Sequence, residues 1–228
     1  LSTGYYVENS RPDCFKSMSV PQMANEMIEE LTKGINGTDI KAGIIKIAVD
    51  SMASEGDRKL LAAAAIAQKE TGKSISTHTC TPEIRSSTLD FLEDAGVDPK
   101  KIYLGHGDAN SDIAESLYLA QRGCNLIYTI WGITNPQLIG WRSGIVPKYH
   151  SSYLVRAMID EGFIDRVLIS IDYNTTNING TLKADLYEIP DRNTLYAFTF
   201  MVPSLKRVGI SQEDLDRIMA ENPRRMLL

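Results

Sequence analysis

Short apolar runs alternate with helical patterns along most of the chain. The runs have the length and the Val, Ile and Leu content of strands that are buried on both faces. In the segments between them, apolar residues recur every three or four positions, as in an amphipathic helix. The pattern predicts five strands within residues 42–50, 74–80, 101–108, 124–132 and 166–174, and the end of another within residues 2–6.

Local signals mark where several helices begin and end. Met23, Met27 and Leu31 recur at helical spacing, and Gly72 follows an Ala-rich helical segment at a place where a helix commonly ends. Thr81 precedes a proline and is a predicted N-cap. The chain therefore alternates strands and helices at a regular rhythm.

This alternation predicts an α/β fold with parallel strands and helices outside them. The sequence has no Gly-rich phosphate loop, which disfavours an open doubly wound sheet. A complete (β/α)8 barrel typically needs about 250 residues. We therefore predict one barrel domain over residues 1–228 that is incomplete at its N-terminus and contains about strands 3 to 8.

Composition narrows the functional classes. The chain has 228 residues, a net charge of -5 and scattered basic residues, which argues against nucleic-acid binding. The longest apolar runs have the length of strands, so no membrane span is predicted. The three cysteines lie far apart without a CxxC pair, which indicates reduced thiols and a cytoplasmic location.

Lys46 stands inside the apolar run at residues 42–50. A lysine ammonium in a strand buried on both faces loses its hydration, and this is costly unless a partner or a chemical change compensates. Such a lysine is therefore a candidate for chemistry.

Three further polar residues occupy similar places in later strands: His78, His106 and Asp172. Together with Lys46 they recur at roughly one or two βα-unit lengths, and strand ends of a barrel converge at one mouth. Imidazole and carboxylate groups suit zinc, manganese, cobalt or iron. A single strand histidine is more often a core residue, but four such positions in phase predict a metal site. His150 precedes a helix start and is expected to lie at the surface.

At this point the chain resembles the phosphotriesterase-like branch of the metal-dependent amidohydrolases. The resemblance rests on the motifs "AGIIKIA", "THT", "YLGHGD", "ISIDY" and the C-terminal segment that begins "VPSLKRVGISQEDL". It implies that Lys46 is carboxylated by CO2 and bridges two divalent metal ions, with zinc expected and manganese, cobalt or iron as alternatives. It also implies that His78 and His106 bind the more exposed metal. Asp172 would bind the other metal and take the proton of the bridging hydroxide.

The resemblance also suggests substrate-binding residues. Tyr6 and Trp131 stand where family members place aromatic pocket walls, and ordinary packing is an equally good interpretation of both. Arg142 and Lys148 could receive an anionic group, although solvated loop charges are the better interpretation.

The chain departs from the family pattern in two places. It has no His-x-His pair at the end of a first strand, which in the family completes the buried metal site. We expect a fragment of a longer protein, and the loss of two strands is the alternative. Lactonases of the family also carry an Asp-Arg pair where this chain has Thr129 and Ile130.

The predicted function is that of a binuclear metal-dependent hydrolase that opens lactones or related esters. A phosphotriester or phosphodiester hydrolase with the same metal centre is one alternative, and a non-catalytic remnant of the family is another. The expected partner is a small-molecule ester or lactone, not nucleic acid or a membrane. Family members are often dimers, so a homodimer is also an expectation.

Overall fold

In the part of the chain that the structure describes, six parallel strands form one sheet in which spatial order follows chain order. The computed structural model describes residues 1–110, 112–131, 151–172 and 195–228. The strands are β1 (Ser2–Thr3), β2 (Ile44–Ala48), β3 (Ile75–His78), β4 (Ile102–Gly105), β5 (Asn125–Tyr128) and β6 (Val167–Ile169). Each strand pairs with the next one along the chain, which is the strand order of a barrel.

Helices connect these strands and close the chain. In the described residues the α-helices are α1 (Cys14–Ser17), α2 (Val20–Thr32), α3 (Glu55–Thr71), α4 (Pro82–Asp94), α5 (Ile113–Gln121), α6 (Ser151–Asp160), α7 (Val202–Arg207), α8 (Gln212–Asp216) and α9 (Asn222–Leu227). Wider π-helical turns at Ala197–Met201 and Arg217–Glu221 precede α7 and α9. Single 3-10 turns lie at Glu8–Ser10, Ile35–Gly37, Pro99–Lys101 and Ile164–Arg166.

Helix boundaries follow the local signals. The Ser19 side chain accepts a hydrogen bond from the Gln22 backbone N–H, and the Gln22 side chain accepts one in return, so α2 opens with a capping box. Gly72 ends α3 in the left-handed conformation, with φ of 68°. Thr81 accepts a hydrogen bond from the N–H of Ile84 and caps α4. The predicted end of α3 at Gly72 and the predicted N-cap of α4 at Thr81 are therefore confirmed.

The two faces of the sheet bury different clusters. Ile45, Leu104 and Leu126 belong to the main core, which lies between the sheet and the helices. Ile44 and Tyr103, one position away in β2 and β4, belong to a second, smaller cluster. Successive side chains of a strand point to opposite faces, so the second cluster lies on the other face of the sheet.

This arrangement confirms the predicted α/β fold of the (β/α)8 barrel type. The partial strand predicted near the N-terminus is present as β1, which pairs with β2. The expectation that two strands precede it stays a prediction. Within the described residues, no helix combines the length and apolar character needed to cross a membrane.

Close backbone approach at Gly105 gives a test of the sheet packing. A Cβ atom on Gly105 would lie 2.2 Å from the carbonyl oxygen of Thr77. We therefore expect Gly105→Ala to lower the free energy of unfolding by at least about 2 kcal/mol in urea titrations. Gly43→Ala is the matched control, because its nearest atoms would lie 3.8 and 3.9 Å away. Equal stability of the two variants would contradict this packing.

Candidate metal centre

The four predicted metal ligands lie at successive positions along the strand direction, from within β2 to beyond the end of β6. Lys46 lies within β2, level with Ser76, and His78 is the last residue of β3. His106 follows β4 directly, and Asp172 follows β6 after a short extension. Since all strands run in parallel, these residues lie towards the same end of the sheet.

His78 and His106 are in direct contact. The Nδ1 atom of His78 lies 2.7 Å from the Nε2 atom of His106, and the rings meet edge to face at 4.5 Å between centroids. The Tyr6 hydroxyl lies 3.1 Å from the same Nδ1 atom. We call these two facing nitrogens, His78 Nδ1 and His106 Nε2, the inner nitrogens of the pair. The Tyr6 hydroxyl lies beside them.

The backbone at two of these residues adopts an uncommon conformation. His106 has φ of 57° and Asp172 has φ of 44°, in the left-handed region that few residues other than glycine adopt. Such conformations are found at sites where the surrounding structure enforces them. The strain therefore coincides with two of the proposed ligands.

The outer nitrogens of both imidazoles also have partners. The Nδ1 atom of His106 lies 2.6 Å from the Thr129 hydroxyl oxygen. The Nε2 atom of His78 lies 3.2 Å from the Cys80 sulfur. From the sequence, Thr129 was only a departure from the family pattern, and no role was predicted for Cys80. The position of Cys80 two residues after His78 was the signal that could have indicated it.

Lys46 is partly buried, whereas the sequence predicts a lysine covered on both faces of its strand. Its Nζ atom donates a hydrogen bond to the carbonyl oxygen of Thr77 at 2.9 Å. Burial lowers the pKa of Lys46, and the acidic groups of Asp172 and Cys80 offset part of this effect. A larger fraction of Lys46 is therefore in the neutral amine form than in an exposed lysine at the same pH.

Asp172 lies at the open side of the cluster. One of its carboxylate oxygens is 4.0 Å from Nδ1 of His106, and 43% of its side chain is exposed. Its backbone N–H donates to the Ser170 hydroxyl oxygen at 3.2 Å. The carboxylate is therefore near both solvent and the His106 imidazole.

The two predicted aromatic residues lie in different environments. Tyr6 is 47% exposed and contacts His78 edge to face. Trp131 is 1% exposed, and its indole N–H donates to the carbonyl oxygen of Tyr128 at 2.9 Å. The structure brings Tyr6 to the site and places Trp131 in the core, as in the packing interpretation. Their roles as pocket walls stay predictions, and Arg142, Lys148 and His150 lie outside the described residues.

A buried arginine holds the strained backbone at His106. Arg85 of α4 is fully buried and forms a bidentate ion pair with Glu115, at 2.8 and 2.9 Å. It also donates hydrogen bonds to the carbonyl oxygens of Thr79, His106 and Ala109, at 3.3, 2.8 and 2.9 Å. The planar guanidinium group thus joins the loops after β3 and β4. An arginine within a helix gave no sequence signal of this role.

Asp108 connects the loop after β4 to the loop after β5. Its carboxylate is fully buried and accepts hydrogen bonds from the backbone N–H groups of Thr129 and Ile130, the closest at 2.9 and 2.7 Å. It also accepts one from the Ser151 hydroxyl at 2.6 Å. The position of Thr129 opposite His106 therefore depends on Asp108.

A buried ion pair between Arg11 and Asp57 anchors the other side of the site. Asp57 accepts hydrogen bonds from the backbone N–H groups of Asp50 and Ser51 at 2.9 and 3.0 Å, just after β2. Arg11 donates from Nε to the carbonyl oxygen of Tyr6 at 2.8 Å. This pair therefore fixes the segment that carries Tyr6 beside the end of β2.

The side chains fit a divalent metal ion. Donor atoms of His78, Cys80 and His106 all lie within 4.8 Å of one another. Two nitrogens that bind one tetrahedral zinc ion at about 2.0–2.1 Å lie roughly 3.4 Å apart, so a small separation of the two rings would accommodate the ion. Two inner nitrogens that face each other also require a proton or a cation between them.

The structure is thus a parallel α/β barrel with a candidate metal site, formed by imidazole, lysine and carboxylate groups, at one end of its strands. The model of the phosphotriesterase family matches residues 1–227, and the chain belongs to this family.

Individual relatives agree with this membership. The phosphotriesterase homology protein of Escherichia coli is 30% identical over 97% of the chain and 71% of its own length. Its crystal structure, with phosphate in the active site, superposes with a TM-score of 0.83 at 29% identity and covers 100% of this chain and 73% of that one.

Two further relatives carry the names of hydrolases. The human N-acetyltaurine hydrolase is 32% identical over 98% of the chain. The aryldialkylphosphatase of Saccharolobus solfataricus is 30% identical over 98% of the chain. The chain spans 63% of the human relative and 69% of the archaeal one. The family is thus one of hydrolases.

Burial of Lys46 predicts a pH-dependent stability. Because its pKa is lowered in the folded protein, the unfolded chain binds a proton more readily, and the free energy of unfolding rises with pH up to the ordinary lysine pKa of about 10.4. Lys46→Met removes the buried ammonium. We expect it to stabilise the metal-free protein in CO2-free buffer at pH 7 by on the order of 1 kcal/mol.

This gain should shrink as the pH rises towards about 10.4, where Lys46 is neutral in both states. Urea unfolding at several pH values measures it, with the exposed Lys100→Met as control. A gain that is constant with pH would show that the Lys46 charge is not its cause.

Proposed function

We propose that this chain supplies most of the metal centre of a metal-dependent hydrolase that opens lactones or related esters. The observation that carries the proposal is the 2.7 Å approach of the inner nitrogens of His78 and His106, near the partly buried Lys46. Family membership and the hydrolase names of the relatives support the reaction type. The substrate class, lactones or related esters, goes beyond what these names support and is part of the proposal.

Four side chains would hold two divalent ions, with zinc as the expected metal. His78 and His106 would bind the more exposed ion through their inner nitrogens. Lys46, as a carbamate, would bind both ions, and Asp172 would bind the other one. Such a metal pair, when bound, supplies an activated water molecule and polarises the bond to be cleaved.

Lys46 would act as a metal ligand only after a chemical change. The neutral amine attacks CO2, a new N–C bond forms, and one proton is released as the carbamate anion is produced. The carbamate has two oxygens, one for each cation. Burial favours this reaction because it lowers the pKa of the amine, and the product anion suits a site that contains two cations.

Asp172 would accept the proton of the attacking water. Its carboxylate is partly exposed and lies 4.0 Å from the Nδ1 atom of His106. A base at this position can reach solvent and return the proton to the leaving group. Tyr6, with its hydroxyl 3.1 Å from His78, would face the substrate at the same opening.

The buried metal ion would have two ligands from this chain, Lys46 and Asp172. The family's His-x-His pair is absent from the 228 residues. A second candidate role is therefore a family member without catalysis, which keeps the fold and binds a ligand. Metal content separates the two roles.

We expect purified protein supplied with zinc and bicarbonate to contain divalent metal by elemental analysis. Lys46→Ala should lose most of it because the bridging anion is gone, and added acetate or propionate should partly restore it. Lys100→Ala, at an exposed lysine, is the matched control and should keep its metal. Full metal content in Lys46→Ala would exclude a bridging lysine, and a folded wild type without metal would favour the non-catalytic role.

Relatives' names leave two competing substrate classes besides lactones. One relative is an aryldialkylphosphatase, and another is an N-acetyltaurine hydrolase, which cleaves an acyl amide. Lactones and acyl amides share a planar carbonyl that passes through a tetrahedral oxyanion. A phosphotriester instead requires pockets for three substituents around phosphorus. We favour a carbonyl substrate for this chain.

A substrate screen tests this assignment. The metal-loaded protein should open lactones, followed with a pH indicator, with higher catalytic efficiency than it cleaves an aryl phosphotriester or an N-acetyl amino acid. Asp172→Asn should lower turnover at least about 100-fold with little change in KM, because the proton acceptor is lost. Asp39→Asn, at an exposed aspartate, should leave turnover unchanged. Faster cleavage of the phosphotriester would overturn the substrate class, and normal turnover of Asp172→Asn would overturn its role as base.

A further inference from the structure

The His78 imidazole has a different contact on each of its two nitrogens. Nδ1 faces the Nε2 atom of His106 at 2.7 Å and the Tyr6 hydroxyl at 3.1 Å. Nε2 lies 3.2 Å from the sulfur of Cys80, a partly buried residue just after β3. One nitrogen of the ring therefore faces the proposed metal position, and the other contacts a thiol.

These contacts restrict where the imidazole proton can lie. A neutral imidazole carries one N–H, and the nitrogen that binds a metal must present its lone pair. If Nδ1 of His78 and Nε2 of His106 turn towards a metal, the protons lie on the two outer nitrogens. His106 then donates to the Thr129 hydroxyl oxygen at 2.6 Å, and His78 donates to the Cys80 sulfur.

We propose that Cys80 is a positioning residue for the metal ligand His78. Its sulfur accepts the Nε2–H hydrogen bond, selects the tautomer with a bare Nδ1, and orients the ring towards His106. The inference rests on the proposed metal centre and deepens it. Metal-binding histidines usually donate their outer N–H to an oxygen acceptor, and loss of that partner typically weakens metal binding by about 10- to 100-fold. In this chain a sulfur takes that position beside His78.

Direct ligation of the metal by Cys80 is the competing arrangement. Donor atoms of His78, Cys80 and His106 lie within 4.8 Å of one another, so the sulfur is close enough for this alternative. Its contact, however, is with Nε2 of His78, whereas Nδ1 is the nitrogen that faces His106. The observed contacts therefore favour an outer role for the sulfur.

Metal affinity gives the first test. Zinc dissociation constants are measured by competition with a chromophoric chelator for wild type, Cys80→Ala, Cys80→Ser and Cys14→Ala. We expect Cys80→Ala to bind zinc at least about 10-fold more weakly and Cys80→Ser to recover most of the loss, because a hydroxyl oxygen also accepts the hydrogen bond. Cys14 is exposed, and its removal should change nothing.

The outcomes separate this inference from the proposed function. If wild type and Cys80→Ala bind zinc equally, the positioning role is wrong and the metal centre stands. If wild type binds no zinc, both are wrong. If Cys80→Ser binds as weakly as Cys80→Ala, acceptance of the hydrogen bond is not what the sulfur contributes, and the inference fails.

The imidazole tautomer gives a readout that a purely structural role would not move. In ¹⁵N-labelled protein, long-range ¹H–¹⁵N spectra distinguish a protonated ring nitrogen from a bare one. We expect zinc-loaded wild type to show His78 with a proton on Nε2 and the metal on Nδ1, and metal-free Cys80→Ala to lose the preference for the Nε2–H tautomer that metal-free wild type shows. A proton on Nδ1 in the zinc-loaded wild type would overturn the proposal.

Cobalt substitution separates the outer role from direct ligation. A cysteine sulfur bound to cobalt produces an intense charge-transfer absorption in the near ultraviolet, whereas an outer sulfur does not. We expect the cobalt-loaded wild type to lack this band. A band that is present in wild type and absent from Cys80→Ala would show that Cys80 is a ligand and would overturn the positioning role.

Discussion

Partial burial of the Lys46 ammonium is the constraint on which the site depends. Parallel strands covered on both faces provide an environment in which a charged amine is costly, and burial lowers the pKa of Lys46 accordingly. Its Nζ atom donates a hydrogen bond to the Thr77 carbonyl oxygen, directly before His78. The same parallel sheet brings His78 and His106 together at the C-terminal ends of β3 and β4. A buried amine next to paired imidazoles is an arrangement that two cations and a carbamate would stabilise.

The loops that carry the ligands are held by buried charges and not by apolar contacts alone. Arg85 fixes the backbone at His106, and Asp108 fixes that of Thr129. The pair of Arg11 and Asp57 does the same beside β2. Removal of one partner from such a group leaves an uncompensated charge, so these anchors resist change. They explain how a residue such as His106 keeps an unfavourable φ of 57°.

Much of the fold could be predicted because its signals are local. Apolar runs, caps such as Thr81 and terminators such as Gly72 depend only on neighbouring residues. The meeting of His78 and His106 also followed from strand-end positions in a parallel sheet. The roles of Cys80 and Arg85 could not be predicted, because they depend on side-chain direction and on contacts across loops. Trp131 shows the same limit, since its position near a strand end could not decide between a pocket wall and a ring in the core, where it lies.

The most direct test of the account is the position of bound metal. A crystal of the zinc-loaded protein, measured at the zinc absorption edge, gives an anomalous difference map that locates each ion without assumptions about its ligands. The account predicts a peak within bonding distance of His78 Nδ1 and His106 Nε2, and density for a carboxylated Lys46 beside it. A zinc peak elsewhere, with the two imidazole nitrogens still in contact with each other, would contradict it.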